Sequence, residues 1–129
     1  MINHGILNPQ ILSLLARVRH TNALVIADRG FPFWPMIEMV DISVVDDLPT
    51  VLQLIAAVRA NPNFTQAFMA KEFLKNNSKA TQQKFRSALL GLAVKFEPHM
   101  ELKKRVPQAI GLIRTGDMVQ YANTILISG

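Results

Sequence analysis

The sequence predicts an α/β sandwich, a single domain over residues 1–129 with a central, largely parallel β-sheet flanked by helices. Three observations lead there. Short apolar runs of strand length, such as the ALVIA of residues 23–27, alternate with longer segments whose apolar residues recur at helical spacing. A chain of 129 residues holds one core comfortably and two poorly. Half of the residues are hydrophobic and only 18% are charged, a balance that suits a well-buried or oligomeric protein and not a disordered one.

The elements follow in order. Asn8 can cap a helix and Pro9 suits its first position; Ile11, Leu12, Leu15 and Val18 then carry the apolar face to about Arg19. His20-Thr21-Asn22 ends it, and residues 23–27 form a strand buried on both faces. Asp28 therefore stands at the carboxyl end of a buried strand, where ligands collect in open α/β sheets. The segment 31–35 holds two prolines and three aromatics, which makes it an apolar loop. Residues 36–45 read as a second strand region containing Asp41. Asp46 or Asp47 can cap a helix over about 49–60, striped by Val51, Leu52, Ile55 and Val58 and stopped by Asn61-Pro62-Asn63.

Residues 66–73 fit a strand over 67–70 or the start of a helix, and the strand is favoured. Ser78 can cap a helix through Leu90, with Phe85, Ala88, Leu89 and Leu92 on its apolar face. Residues 94–97 alternate apolar and charged, as a half-exposed strand does, before Pro98-His99 and a basic helical turn over 100–106. The last stretch, 113–127, reads strand, turn at Thr115-Gly116-Asp117, strand. In an extended chain Tyr121 and Asn123 project to one face and Ala122 to the other. A phenol and a carboxamide side by side suit a neutral, hydroxyl-rich ligand better than a phosphate or a metal.

Several classes of function are set aside. Cysteine is absent, so disulfide and thiolate chemistry are excluded. The start MINHGILNPQ lacks the features of a signal peptide and no apolar run approaches the ~20 residues of a membrane span, which makes a soluble intracellular protein with no membrane partner the default. The net charge of +5 is spread out, with only Lys103-Lys104-Arg105 contiguous and no nucleic-acid-binding motif beside it, so no nucleic-acid partner is expected. No HxH or HExxH marks a metal site, and neither a P-loop, a GxGxxG nor a GxSxG occurs. No metal and no cofactor are expected.

Each candidate residue has two readings. His20 is either a helix C-terminal histidine favoured by the dipole or a functional acid. Along the strand it lies roughly 25 Å from Asp28, so the two meet within one subunit only if the helix-to-strand turn is long and Asp28 folds back; a site built between subunits is the other way to bring them together. Asp28 is a cap of the following glycine turn or a ligand-binding carboxylate. His99 is a simple exposed loop histidine or part of a site, and Tyr121 is a core tyrosine or a ligand contact. Asn123 is harder to explain structurally, because asparagine is poor in strands. The 31–34 cluster is an interface plug or a sugar-stacking surface.

Taken together, HGILNPQI, RHTNALVIADRGFP, PH with a lysine four positions after the histidine, and IRTGDMVQYANTILISG resemble the ribose pyranase and fucose mutarotase family, closer to the ribose branch. The similarity covers nearly the whole chain. It implies a cytoplasmic, cofactor-independent isomerase that interconverts ring forms or anomers of a free monosaccharide, ribose first among them. The family also implies a ring-shaped, decamer-like homo-oligomer with sites between neighbouring subunits. By residue matching it makes His20 the general acid and Asp28, His99, Tyr121, Ala122 and Asn123 the sugar contacts. A non-catalytic sugar-binding relative of the same fold is the alternative.

Overall fold

The computed structural model describes residues 1–129. Six strands form one sheet in the order β2-β5-β1-β6-β3-β4, from β1 (Ala23–Ala27), β2 (Glu38–Asp41), β3 (Phe64–Ala70), β4 (Ala93–Glu97), β5 (Gly111–Arg114) and β6 (Thr124–Ser128). β5 runs parallel to both β1 and β2, and β3 runs parallel to β4. β6 is antiparallel to its neighbours β1 and β3 and joins the two parallel halves. The sheet is thus the largely parallel α/β sheet that the alternation of elements predicts.

Side chains alternate across this sheet. On one face Leu24, Ile26, Ile113, Ala67, Met69 and Leu126 pack into the larger core with α1 (Pro9–Ala16), α2 (Val51–Arg59), Phe73 of α3 (Lys71–Asn76) and Phe85 of α4 (Lys79–Ala88). On the other face Val25, Ala27, Leu112, Phe68 and Ile125 meet Leu102 of α5 (His99–Arg105), Val106 of the 3-10 turn that follows, and Phe31. This second layer is thinner, and α5 is its one α-helix.

Several boundaries differ from expectation for identifiable reasons. α1 is capped by the Asn8 side chain, which accepts from Ile11 N–H, but it ends at Ala16 and not at Arg19. α2 is capped neither by Asp46 nor by Asp47. Thr50 and Gln53 form a reciprocal capping box one residue before Val51, and Asp47 stands in a left-handed turn with φ 61°. The region 36–45 is extended as a strand only over Glu38–Asp41, where β5 offers a partner. The ambiguous 66–73 holds both candidates, since β3 runs to Ala70 and α3 starts at Lys71 with no connecting residue.

Residues 113–127 are strand, turn, strand, yet β1 lies between β5 and β6, so the two are not a hairpin. Their connection crosses the carboxyl end of β1. Gly116 makes the crossing possible: a Cβ there would stand 2.3 Å from the Val45 carbonyl oxygen and 2.8 Å from that of Leu48, both backbone atoms.

Candidate active site

The crossing connection and the end of β1 enclose an open pocket of about 520 Å³, which Asp28, His99, Tyr121 and Asn123 all line. Asp28 follows the last residue of β1, as expected. Its Oδ1 accepts from the Gly30 N–H at 3.0 Å, the turn-capping role, and leaves the second oxygen for other partners. Asn123 is 3% exposed, and its side-chain oxygen accepts from the Asp28 N–H at 2.8 Å. An asparagine placed just before a strand is thereby explained, because it ties the start of β6 to the end of β1 and keeps its amide N–H groups available. Burial raises the Asp28 pKa above the usual carboxylate value, against the opposing effects of the Gly30 N–H and the Asn123 side chain.

The comb expected of Tyr121 and Asn123 does not arise from an extended strand. Tyr121 has φ 56°, in the left-handed region, and β6 begins only at Thr124. A turn, not β alternation, brings the two side chains to one pocket. Asn77 braces that turn by donating to the Gln120 carbonyl. Ala122, between them, is fully buried among the larger core residues and is absent from the pocket lining.

His99 is the first residue of α5 and not a loop residue. Its ring meets Tyr121 edge-on, with centroids 5.1 Å apart at 82°. Its Nε2 is buried and has no hydrogen-bond partner in the chain. Burial lowers the His99 pKa below the ordinary imidazole value and the Lys103 cation lowers it further, while the Glu72 and Asp28 carboxylates pull the other way. The neutral imidazole is therefore favoured near pH 7.

His20 lies elsewhere. It stands before β1 begins, next to the far end of β6, and its Nδ1 contacts the Gly129 carbonyl oxygen. The turn that carries it is pinned twice to β6: Thr21 N–H donates to Ser128 O at 3.0 Å and Ser128 N–H to Asn22 O at 2.9 Å. Asn22 also accepts from the Arg19 N–H through its side chain. His20 is exposed and forms no part of the pocket in its own chain. α1 ends four residues before it, so a histidine stabilised by that helix's C-terminus is not what the structure contains.

Lys103 and Asp117 also line the pocket, and neither was among the site residues expected from the sequence. Lys103 lies four positions after His99 on α5, a spacing that puts both on one helix face. Asp117 is 2% exposed and looked like turn punctuation. Its Oδ2 accepts from Val51 N–H at 2.8 Å and its Oδ1 from Val119 N–H at 2.8 Å, and its own carbonyl accepts from Arg29 N–H. It joins the start of α2 to the pocket rim. Nowhere do three or more His, Asp or Glu side chains gather in a way that could hold a metal ion.

Carboxylate, imidazole, phenol, carboxamide and ammonium groups surround an open pocket beyond the carboxyl end of an α/β sheet, a set of donors and acceptors that suits a small, hydroxyl-bearing molecule. The sequence profile of the RbsD / FucU transport protein family matches residues 1–129, and the chain belongs to that family. It is 38% identical over 129 residues to the D-ribose pyranase of Chromobacterium violaceum, covering 100% of this chain and 98% of that one. The structure of Bacillus subtilis RbsD complexed with D-ribose superposes with a TM-score of 0.92 at 29% identity, covering 100% of this chain and 98% of the other. The fucose mutarotase of Streptococcus pneumoniae, solved in complex with L-fucose, shares the fold at a TM-score of 0.80 and 16% identity, over 95% and 92% of the two chains.

Proposed function

We propose that this protein is a sugar-ring isomerase of the D-ribose pyranase type, acting on a free monosaccharide by general acid–base catalysis, with ribose as its first substrate. The observation that carries the reading is the convergence of Asp28, His99, Tyr121 and Asn123, from separate parts of the chain, on one pocket. The naming of full-length relatives as D-ribose pyranases and the ribose complex of a close structural neighbour support the substrate class.

Interconverting ring forms of a hemiacetal needs a proton delivered to the ring oxygen and one removed from the anomeric hydroxyl, and neither step needs a redox partner. In this reading Asp28 and the Asn123 amide orient sugar hydroxyls, with Tyr121 adding a phenolic donor and acceptor. The neutral His99 offers an acceptor nitrogen. Ala122 contributes through its backbone, since its side chain belongs to the core.

The acid, His20, comes from a neighbouring subunit. It and the pocket occupy opposite ends of the β1–β6 pair, so a head-to-tail contact brings the His20 of one copy to the pocket of the next, and repetition of that contact closes a ring. The apolar loop after the pocket, with Phe33 67% exposed and Met36 also exposed, offers surface for such a contact. No helix is long and apolar enough to cross a membrane, and the assembly is assigned to the cytoplasm on the same reading.

Because one chain lacks His20 in its pocket, a sugar-binding relative without catalysis is the second reading. Saturation-transfer NMR on equilibrated ribose and fucose separates the two. Exchange accelerated by the wild type and not by His20→Ala is expected; binding without acceleration would leave only the second.

A further inference from the structure

His99 begins α5, yet nothing inside that helix caps it. The residue before it is Pro98, which makes no side-chain bond to the first turn. The cap comes from another helix. β3 and β4 run in parallel with Ala70 opposite Glu97, so the helices that leave their ends lie side by side. α3 follows β3 without a connecting residue, which fixes Glu72 in its first turn. Both Glu72 carboxylate oxygens accept from the His99 backbone N–H, at 3.1 and 3.2 Å. One carboxylate is thus placed at the amino ends of two helices, where free N–H groups and the backbone dipoles favour an anion.

We propose that Glu72 is a positioning residue of the sugar site: by anchoring the first turn of α5 it sets the direction of the His99 imidazole against Tyr121 and of its unpartnered Nε2. The inference rests on the pocket function proposed above. The titratable and charged groups that face the His99 ring are Glu72 from α3, Lys103 from α5, Asp28 beyond β1 and Tyr121 from the crossing connection. Glu72 and Lys103 act on it with opposite sign, so Glu72 also limits how far burial and the neighbouring ammonium depress the imidazole's basicity.

Two variants separate position from charge. Glu72→Gln keeps an acceptor oxygen for the His99 N–H and removes the charge, whereas Glu72→Ala removes both. In histidine-ring NMR spectra, assigned with His99→Gln, the His99 titration midpoint of Glu72→Gln is expected at lower pH than in the wild type. Its nuclear Overhauser contacts to Tyr121 should persist, and the acidic limb of the ribose-exchange pH profile should move with the midpoint. Glu72→Ala is expected to lose the Tyr121 contacts and about tenfold in kcat/KM, the scale of a small misplacement in a reacting site. If both variants keep the His99 titration and contacts of the wild type and only Tm falls, Glu72 is a helix cap and nothing more, and the proposal is overturned. Should Glu72→Ala fail to fold, Glu72→Asp, which keeps the charge and withdraws the carboxylate from the His99 N–H, takes its place: loss of the Tyr121 contacts supports the proposal and unchanged contacts overturn it. Should the wild type not accelerate ribose exchange, the pocket function fails, while the ring spectra still decide whether Glu72 positions His99.

Discussion

The two ends of β1 are built on opposite plans. At its carboxyl end the polar groups are buried or half-buried and committed to backbone N–H groups: Asn123 holds that of Asp28, Asp117 holds the amino end of α2, and Glu72 holds that of α5. At its amino end His20 is exposed, on a turn fixed through backbone bonds to β6, the side chain of Asn22 and its own contact with the Gly129 carbonyl oxygen. The first end is a braced polar pocket complete within one chain. The second carries an exposed imidazole on a turn tied to β6. On the function proposed above, such a site becomes catalytic only when the two ends of different copies meet.

The most direct way to break the comparison is to remove His20. His20→Ala is expected to lower sugar exchange about 10²–10⁴-fold, the usual contribution of one positioned acid or base, while stability changes by no more than about 0.5 kcal/mol because the side chain is exposed. Ribose-induced shifts at Tyr121 should survive. Mixing His20→Ala with Asp28→Asn, dissociating and reassembling the copies, should restore a fraction of the exchange rate, since some interfaces then pair an intact His20 with an intact pocket. Exchange that stays absent in every mixture would place both residues in one chain's site and end the divided-site reading.

The pocket end should respond in stability first. Asp117→Ala leaves the buried Val51 N–H and the half-buried Val119 N–H without acceptors and is expected to destabilise the fold by about 2–4 kcal/mol, read as a fall in the urea midpoint. Asn123→Ala strips one acceptor, from the Asp28 N–H, and should cost about 1–3 kcal/mol together with weaker sugar binding. A loss of affinity in Asn123→Ala without loss of stability would show that the carboxamide serves the ligand and not the frame.

How much of this was readable in the chain depended on the range of the forces involved. The strand at 23–27, the Asn8 and Ser78 caps and the amphipathic stripe of residues 51–58 are local, and they stand where periodicity puts them. Asp28 at the end of a buried strand was legible for the same reason. The Tyr121 turn was not: its left-handed backbone is accompanied by packing against His99 and by the bond from Asn77 to the Gln120 carbonyl, 43 residues on in sequence, and no propensity at 121 announces it. Asp117 and Glu72 were missed because both bond backbone N–H groups of distant helices, at separations of 66 and 27 residues. Lys103 alone carried a local signal, its helical spacing from His99. The separation of His20 from Asp28 by the length of β1 follows from simple strand length, and the distance argument between the two anticipates it.

The smallest effect concerns pH and sharpens the contrast within the pocket itself. His99 titrates in the folded state below its ordinary value of 6.5, chiefly because of burial. A depressed folded pKa contributes stability that is present above 6.5 and lost as pH falls through the lowered value, because the unfolded chain takes up the proton first. Asp28 has the opposite sign: its folded pKa is raised above 3.8 by burial, so its contribution is present below 3.8 and lost as pH rises through the raised value. On acidification from neutrality the His99 term is therefore met first. The Tm of the wild type should fall more between about pH 7 and pH 5 than that of His99→Gln, which has no imidazole to protonate at that position. Exchange of ribose should weaken over the same interval, as the acceptor nitrogen is filled. Parallel Tm curves for the two proteins would mean that His99 titrates alike folded and unfolded, and the neutral imidazole would then have to be sought in the contact between subunits.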